Sequence, residues 1–272
     1  MRIAFIGGGN MSSALIGGLL ARGVAARDLS VADPSVAQLE HLRREFGLAA
    51  TTDNVEAVRD SDLVVLAVKP QDMASAARSL AAELASRRRA VVSVAAGIRL
   101  ENLAGWLGGA VPLVRAMPNR PALIGAGVTA AYASSGVTPA ERAAAEETLE
   151  AVGPLVWLEE EAQLDAVTAV SGSGPAYFFL LVEALEDAGA ALGLPRATAR
   201  LLAVHTALGA GRMTADSSDP PAVLREQVTS RGGTTAAALA VLEAADFRGL
   251  VERAVAAAAH RSAELAREFG RR

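Results

Sequence analysis

Residues 2–23 read R-I-A-F-I-G-G-G-N-M-S-S-A-L-I-G-G-L-L-A-R-G, and this stretch decides the fold. Arg2–Ile6 is an apolar run typical of a buried strand, and Ser12–Arg22 shows a helical pattern. The glycines lie where the strand turns into the helix. In such a turn Gly7 permits the tight bend and Gly9 lets the backbone approach a pyrophosphate, so the segment predicts a dinucleotide-binding unit.

The glycine motif differs from the usual G-x-G-x-x-G at one position. Ser12 replaces the third glycine, and a small residue is tolerated there. An ordinary glycine-rich turn without a ligand is the alternative. The motif alone is a weak signal, but its strand–turn–helix context favours nucleotide binding.

The rest of the chain divides into two halves of different character. In the first half, strands are predicted over Leu29–Asp33, Leu63–Val68, Ala90–Val94 and Val111–Arg115, and helices over Val36–Phe46 and Leu100–Leu107. From about Glu159 the strand signals stop, and helical patterns cover residues 161–171, 175–192, 196–213, 220–229 and 235–267. We therefore predict an α/β protein, with an N-terminal Rossmann-like dinucleotide-binding domain over residues 1–158 and an all-α C-terminal domain over residues 159–272. So large an apolar helical surface in a small domain needs a partner, so the helical half is expected to dimerise.

Composition narrows the range of functions. The chain of 272 residues has a net charge of −4 and no cysteine. It lacks the basic surface of a nucleic-acid-binding protein, and it cannot form disulfides, a thiol nucleophile or a cysteine metal site. Polar residues and glycines interrupt any signal-peptide core, and no uninterrupted apolar run of membrane-spanning length is free of glycine or charge. We expect a cytoplasmic protein without nucleic-acid or membrane partners.

Two residues follow predicted strands, at the edge where a parallel sheet binds ligands. Asp33 ends the second strand, where an acid contacts the adenosine ribose and favours NADH over NADPH. A helix N-cap or an Asp-Pro turn explains Asp33 about equally well. Lys69, in A-V-K-P at residues 67–70, is the only lysine among 26 basic residues. A plain strand-ending residue is the alternative for Lys69.

Two loops of the second half are candidate ligand sites. V-T-S-R-G-G-T-T, residues 228–235, lies between two helical patterns and offers hydroxyls, exposed N–H groups and a positive helix end, which together favour an anion. S-G-S-G-P-A-Y, residues 171–177, joins two other helical patterns. Ser171 is a candidate ligand contact there, and a structural break between helices is the alternative.

Other polar residues are interpreted as structural. His41, His205 and His260 lie in helical patterns without the positioned partner that a catalytic histidine needs. The charge runs Arg87–Arg89 and Glu159–Glu161 are predicted to be solvated faces or loop ends. No spacing in the sequence predicts a metal-ligand cluster.

Taken together, the motifs resemble those of the pyrroline-5-carboxylate reductase family over essentially the whole chain. The matching segments are F-I-G-G-G-N-M at 5–11, A-V-K-P at 67–70, A-A-G at 95–97, R-A-M-P-N at 115–119, D-A-V-T-A-V-S-G-S-G-P-A-Y at 165–177, V-T-S-x-G-G-T-T at 228–235, F-R at 247–248 and R-S at 261–262. The resemblance implies hydride transfer from NADPH or NADH to C5 of a cyclic imine, giving L-proline without a metal. It also implies a homodimer through the helical domain, with decamers as a larger assembly.

The resemblance further implies roles for individual residues. The carboxylate of pyrroline-5-carboxylate would be held by Ser230, Gly232, Gly233 and Thr234, with Ser171 as a further substrate contact. The hydroxyl of Thr235 would hydrogen-bond the imine nitrogen, which makes Thr235 the catalytic residue. The fold and the resemblance together give these cofactor-binding residues: Gly7, Gly9, Asn10, Met11, Ser12, Asp33, Asn54, Ala67, Val68, Lys69, Pro70, Ala95, Gly97 and Asn119.

Two positions depart from the family pattern, and two other functions compete with this one. Arg231 stands where the family usually has proline, and Arg120 stands in its M-P-N-T-P segment. A β-hydroxyacid dehydrogenase shares the first domain but typically uses a lysine of the second domain, and this chain has no lysine after Lys69. A non-catalytic dinucleotide sensor is the third hypothesis, in which the loop around Arg231 has lost its substrate.

Overall fold

The structure, a computed structural model, describes residues 1–109 and 111–270. Internal contacts divide the chain into two compact units. The sheet unit comprises residues 1–172 together with the chain from Ala257 onward, and the helical unit comprises Ser173–Ala256. The predicted order, an α/β part followed by an all-α part, is confirmed. The domain boundary predicted between residues 158 and 159 stays a prediction, because the division by contacts is discontinuous in sequence.

The described part of the sheet unit contains one eight-stranded sheet. Its strands are β1 (Ile3–Ile6), β2 (Leu29–Ala32), β3 (Ala49–Thr51), β4 (Leu63–Leu66), β5 (Ala90–Ser93), β6 (Leu113–Pro118), β7 (Thr129–Ala133) and β8 (Leu155–Trp157). Their order is β3-β2-β1-β4-β5-β6-β7-β8, with β6 and β7 antiparallel and all other neighbours parallel. Strand order reverses between β1 and β4, which places the ligand crevice of this fold outside their carboxyl ends.

Helices cover both faces of the sheet. Those of the sheet unit are α1 (Asn10–Ala21), α2 (Val36–Phe46), α3 (Asn54–Val58), α4 (Met73–Ser86), α5 (Leu100–Trp106), α6 (Pro139–Leu149) and α7 (Gln163–Val167). The bounds of α2 are those predicted, because Ser35 caps its start and Gly47, at φ 66°, ends it. Six elements were not predicted from the sequence, several of them because they are too short to show a period: β3, β7, β8, α3, α4 and α6.

The core of the sheet unit lies in two layers. Along β1, Ile3 and Phe5 belong to one buried hydrophobic cluster, whereas Ala4 and Ile6 belong to the other. This alternation is the period of two expected of a strand that is buried on both faces. In α1, Gly18 packs so closely on the Ala151 backbone that a Cβ at this position would collide with the Ala151 carbonyl.

Both charge runs lie in loops, as one of the two predicted alternatives has it, but Arg89 is buried and Glu161 is half-buried, so these two members are not fully solvated. The Arg89 guanidinium donates to the Val58 carbonyl at 2.7 Å and pairs with Glu83 at 3.0 Å. Glu161 accepts hydrogen bonds from the buried Arg115 side chain at 3.0 Å and from the Leu100 N–H at 2.9 Å. A buried charge is tolerated only when it is paired, and these contacts pair both arginines.

The helical unit consists of packed helices and loops. Its helices are α8 (Gly174–Ala191), α9 (Arg196–Asp216), α10 (Pro221–Gln227), α11 (Thr234–Ala244) and the first part of α12 (Phe247–Gly270). The single helix predicted over residues 235–267 was wrong. The chain breaks at Asp246, which adopts φ 53° and accepts the Gly249 N–H at 3.2 Å. Aspartate tolerates this left-handed conformation because its short side chain bonds locally, here to the first turn of α12.

Large apolar side chains of the helical unit are exposed. Phe178 is 67% exposed, Phe179 64% and Leu202 52%. The helical segment Gln163–Ala191 is long and apolar enough to cross a membrane by length and composition alone, which is weak evidence because a core helix of a soluble protein meets the same criterion. The apolar surface is the one that the sequence analysis expects a second copy to cover.

Candidate dinucleotide and substrate sites

A cleft of about 550 Å³ opens beside the carboxyl ends of β1, β2 and β4. It is lined by Gly7, Gly9, Ala32, Asp33, Pro34, Thr52, Asn54, Ala67, Val68, Lys69, Asp72, Ser75, Ala76 and Ser79. The structure therefore brings together seven of the predicted cofactor residues: Gly7, Gly9, Asp33, Asn54, Ala67, Val68 and Lys69. The cleft lies at the switch point where the fold binds its ligands.

The glycine turn forms one wall of this cleft. Gly7 adopts φ 94°, and a Cβ there would lie 2.8 Å from the Ala67 carbonyl oxygen, so only glycine fits. Gly9 caps α1 and is exposed, and a Cβ added to it would have no atom within 4 Å. No side chain caps the first turn of α1. Its free N–H groups, including those of Asn10 and Met11, form the kind of cradle that binds a pyrophosphate.

Ser12 is a structural part of the turn. Its side chain is buried, and its hydroxyl donates a short hydrogen bond to the Gly7 carbonyl. This bond ties the first helical turn to the bend that precedes it. The serine that replaces the motif's third glycine therefore stabilises the turn rather than disturbing it.

Asp33 is held by the backbone on both carboxylate oxygens. Oδ2 accepts the Gly8 N–H and Oδ1 accepts the Ser35 N–H, each at 2.8 Å. The Asp-Pro turn considered in the sequence analysis is therefore present. The carboxylate is partly exposed in the cleft, so its contact with a ribose stays a prediction beside this structural role.

Asn54 and Lys69 also line the cleft. Asn54 is the first residue of α3, and its amide donates to the Ser79 hydroxyl at 3.1 Å. Lys69 is exposed and precedes a short 3-10 turn, Pro70–Asp72, that leads into α4. Pro70 itself starts this turn and is not among the residues lining the cleft.

Seven predicted cofactor residues lie outside the lining of the cleft, and besides Asn10, Met11, Ser12 and Pro70 these are Ala95, Gly97 and Asn119. Ala95 is buried after β5. Gly97 adopts φ 74°, and a Cβ there would lie 3.1 Å from the Phe269 ring of α12. Asn119 is 8% exposed; its amide donates to the Ser171 carbonyl at 3.2 Å, and its oxygen accepts the Val128 N–H at 3.0 Å. Contacts of these three residues with a cofactor stay predictions.

Ser171 lies in an irregular turn. Thr168–Gly172 forms a single π-helical turn, and the Ser171 hydroxyl donates to the Val167 carbonyl at 3.0 Å. A Cβ on Gly172 would lie 2.6 Å from the Met117 side chain. The structural break is therefore present, and π-turns are frequent at functional sites. A contact between Ser171 and the substrate stays a prediction.

The predicted substrate loop lies in the helical unit. Gly232 adopts φ 71°, and Gly233 caps α11 while its N–H bonds the Ser230 carbonyl at 3.0 Å. Thr234 and Thr235 are the first two residues of α11, whose first turn has no side-chain cap. Ser230, Gly232, Thr234 and the departing Arg231 are exposed, and Thr235 is half-buried. Hydroxyls and free N–H groups therefore meet at a helix start, as expected for a carboxylate site.

The sequence analysis missed part of the cleft. Thr52, Asp72, Ser75 and Ser79 line it but were not predicted. Three of them lie at or in α4, which the sequence analysis left unassigned. The buried residues Met73, Ala77, Leu80 and Leu84 recur at helical spacing, so that period would have revealed the helix.

Other polar groups do not add to a site. Within residues 1–109 and 111–270, no three or more His, Asp or Glu side chains lie close enough to hold a metal ion. His41 pairs with Glu45 at 2.9 Å and His260 with Glu264 at 3.5 Å, each on an exposed helix face. These two histidines are surface residues, as the sequence predicts.

The fold and the cleft define a class, a protein with a Rossmann-like dinucleotide-binding domain and a helical second domain. The family model for NADP oxidoreductases that are coenzyme F420-dependent matches residues 2–97, and the model for pyrroline-5-carboxylate reductase dimerisation matches residues 161–265. The chain is 51% identical to pyrroline-5-carboxylate reductase of Pseudomonas aeruginosa over 269 residues, which is 99% of this chain and 98% of that protein.

Two solved structures share the whole fold. A pyrroline-5-carboxylate reductase from Coxiella burnetii is 40% identical, with a TM-score of 0.94 over 97% of this chain and 98% of that one. Plasmodium falciparum pyrroline carboxylate reductase with NADP bound is 30% identical, with a TM-score of 0.84 over 98% of each chain. The chain belongs to the pyrroline-5-carboxylate reductase family.

Proposed function

We propose that this chain reduces 1-pyrroline-5-carboxylate to L-proline with NADH or NADPH, the last step of proline biosynthesis. The observation that carries the proposal is the full-length match to a reductase of this substrate at 51% identity. The glycine turn and the Ser230–Thr235 loop, which the chemistry requires, are both present. The β-hydroxyacid dehydrogenase alternative is not favoured, because the helical unit contains no lysine.

The cleft fits a dinucleotide. When bound there, the dinucleotide supplies the hydride. The free N–H groups of the first turn of α1 would bind its pyrophosphate, because the positive helix end and unpaired donors point to an anion. Asp33 and Asn54, which both line the cleft, would contact the adenosine ribose. The segment Ala67–Pro70 would continue along the cofactor towards its nicotinamide end.

The loop at the start of α11 fits the substrate. The Ser230 hydroxyl and the N–H groups of Gly232 and Thr234 would bind the carboxylate, and Gly233, whose N–H bonds the Ser230 carbonyl, would shape the loop around it. The Thr235 hydroxyl would donate to the ring nitrogen, which makes C5 more electrophilic. Hydride addition to C5 moves the π electrons of the C=N bond onto the nitrogen, which takes up a proton from solvent water through the Thr235 hydroxyl to complete the amine. Such a reaction needs mainly alignment of its two reactants, which is consistent with a site built without a catalytic histidine or cysteine.

The purified full chain tests this proposal directly. With pyrroline-5-carboxylate and either NADH or NADPH, we expect loss of the reduced-nicotinamide absorbance and stoichiometric formation of proline. Absence of oxidation with both cofactors would contradict the proposal. Dinucleotide binding without turnover would instead support the sensor hypothesis.

Thr235 provides a sharper test of the substrate loop. Thr235→Ala should lower kcat about 10- to 100-fold, the value of one hydrogen bond to the negative charge that develops on the ring nitrogen as the hydride adds, while dinucleotide affinity is unchanged. Thr235→Ser keeps the hydroxyl and should retain most of the activity. Steady-state kinetics of the wild type and the two variants test this expectation, and the Kd of the cofactor is measured separately. Equal turnover in all three would remove the proposed bond to the imine.

We further propose that Asp33 favours NADH, since its carboxylate would repel a 2′-phosphate. Asp33→Arg should raise the ratio of kcat/KM for NADPH to that for NADH at least about tenfold, because juxtaposed like charges cost several kcal/mol. Asp60→Arg, an exposed substitution outside the cleft, is the control. A ratio that does not change would mean that Asp33 does not contact the ribose.

The assembly and location are part of the same proposal. The apolar helices of the helical unit would be covered by a second copy, which is supported by the match of residues 161–265 to a dimerisation model. Decamers and a cytoplasmic location are the further expectations. Sedimentation of the purified chain at several concentrations measures the assembly, and fractionation of cells tests the location.

A further inference from the structure

The middle residue of the glycine turn is held on both of its backbone polar groups. Gly8 is buried, its N–H donates to Asp33 Oδ2 at 2.8 Å, and its carbonyl accepts from Gln38 Nε2 at 2.6 Å. A Cβ on Gly8 would lie 2.8 Å from the Leu42 side chain. Gln38 and Leu42 both lie on α2, so this helix presses against the turn as well as bonding to it.

The Gln38 side chain can bond to the Gly8 carbonyl because the group it would bond in a capping box, the Ser35 N–H, is bonded to Asp33 instead. Ser35 caps α2, and Gln38 lies three residues later, at the spacing of a capping box. In a capping box the Gln38 side chain would return to the Ser35 N–H. Here Asp33 Oδ1 accepts that N–H at 2.8 Å, so the Gln38 amide extends to the Gly8 carbonyl instead.

The orientation of the next peptide follows from these bonds. The Gly8 carbonyl and the Gly9 N–H belong to one trans peptide unit, in which they point in opposite directions. With the carbonyl drawn towards α2, the Gly9 N–H points away from α2, and Gly9 lines the cleft. We propose that Gln38 is a positioning residue that aims the Gly9 N–H at the pyrophosphate of the bound dinucleotide. This inference rests on the cofactor assigned under the proposed function.

Gln38→Met tests the inference, since it keeps the length of the side chain and removes the donor. We expect the Kd values for NADH, NADPH and ADP-ribose each to rise about 3- to 10-fold, the value of one net hydrogen bond. All three ligands contain the pyrophosphate, so the factors should be equal. The kcat at saturating cofactor and imine should not change. Glu40→Met, an exposed substitution on the same helix, should leave all of these values unchanged.

The possible results distinguish a Gln38 side chain that positions the Gly9 N–H from one that only packs against the turn. Unchanged Kd values, or a lower melting temperature with unchanged Kd values, would overturn the inference. If Gln38→Met does not fold, Gln38→Asn, one methylene too short to reach Gly8, replaces it with the same expected loss. ADP-ribose binding is measured without imine, so a wild-type protein that binds it but does not turn over would defeat only the proposed reaction. A wild-type protein that does not bind ADP-ribose would overturn this inference.

Discussion

The two units differ in where their apolar side chains lie. In the sheet unit, every residue of β1 and β4 is buried, and two hydrophobic clusters fill the two faces of the sheet. In the helical unit, the large apolar side chains of α8 and α9 are mostly exposed, and the buried apolar residues of α9 are Ala199 and Ala203. Both units are rich in apolar residues, but only the sheet unit encloses its own core.

This difference shows that the two units are stabilised in different ways. The helices of the helical unit hold together through small residues, as where a Cβ on Gly189 would lie 3.1 Å from the Ala199 side chain. Such contacts bury little area, and stabilisation scales with the apolar area that is removed from water. Substitutions in the sheet unit should therefore change its free energy of unfolding. Substitutions of the exposed apolar side chains of the helical unit should instead change the dimer dissociation constant.

The largest expected effect is on assembly. Phe179→Glu should raise the dimer dissociation constant at least about hundredfold, because burial of one such side chain contributes about 2–3 kcal/mol and a twofold interface contains it twice. Val36→Glu replaces a side chain of the sheet unit that is 57% exposed and should leave the mass in solution unchanged. Light scattering after size-exclusion chromatography measures both. An unchanged mass for Phe179→Glu would show that the helical unit is not stabilised by assembly through this side chain.

An intermediate effect is expected at the buried ion pair of the sheet unit. Glu161→Leu leaves the Arg115 guanidinium, which is 3% exposed, without its carboxylate. The free energy of unfolding should fall by about 3 kcal/mol. Glu160→Leu, on the exposed neighbour, should change it by less than about 0.5 kcal/mol. Urea unfolding of the two variants makes the comparison, and equal effects would show that the pair does not stabilise the unit.

The smallest effect on stability is expected at two adjacent glycines of α1, Gly17 and Gly18. Gly18→Ala forces the backbone near Ala151 to move and should destabilise by about 2 kcal/mol. At Gly17 a Cβ would make an ordinary contact, 3.6 Å from the Phe46 ring. Gly17→Ala should therefore stabilise by about 0.5 kcal/mol through helix propensity. Thermal unfolding of the two variants tests this. A change of Tm with the same sign in both would contradict the close approach of Gly18 to Ala151.

The sequence predicted the elements that carry strong local signals. The strand β1, the glycine turn and α2 follow from an apolar run, a motif and two caps. The three-residue strands β3 and β8 and the five-residue helix α3 were missed, because elements of that length show no period. The break at Asp246 was missed because neither glycine nor proline marks it.

The predictable parts of the site either act through their own backbone or, like Asp33 and Lys69, end or directly follow a predicted strand. The glycines of the turn and the start of α11 are visible in sequence. The bonds from Asp33 and Gln38 to Gly8 join residues 25 and 30 positions apart, so they exist only after the fold has formed. Similarly, a run of three like charges does not show which member will pair with a buried side chain, since Arg115, the partner of Glu161, lies on β6.

The last helix, α12, belongs in part to the sheet unit, although it follows the helical unit in the sequence. Near its end, Ser262 donates to Asp165 at 2.8 Å, and Phe269 packs where Gly97 has no side chain. The sheet unit is thus completed by residues that are synthesised after the whole helical unit, although domains commonly fold from the N-terminus during synthesis. Until α12 has been synthesised, the nascent sheet unit lacks this helix. Deletion of the last turns of α12 would therefore damage the part of the protein that is made first.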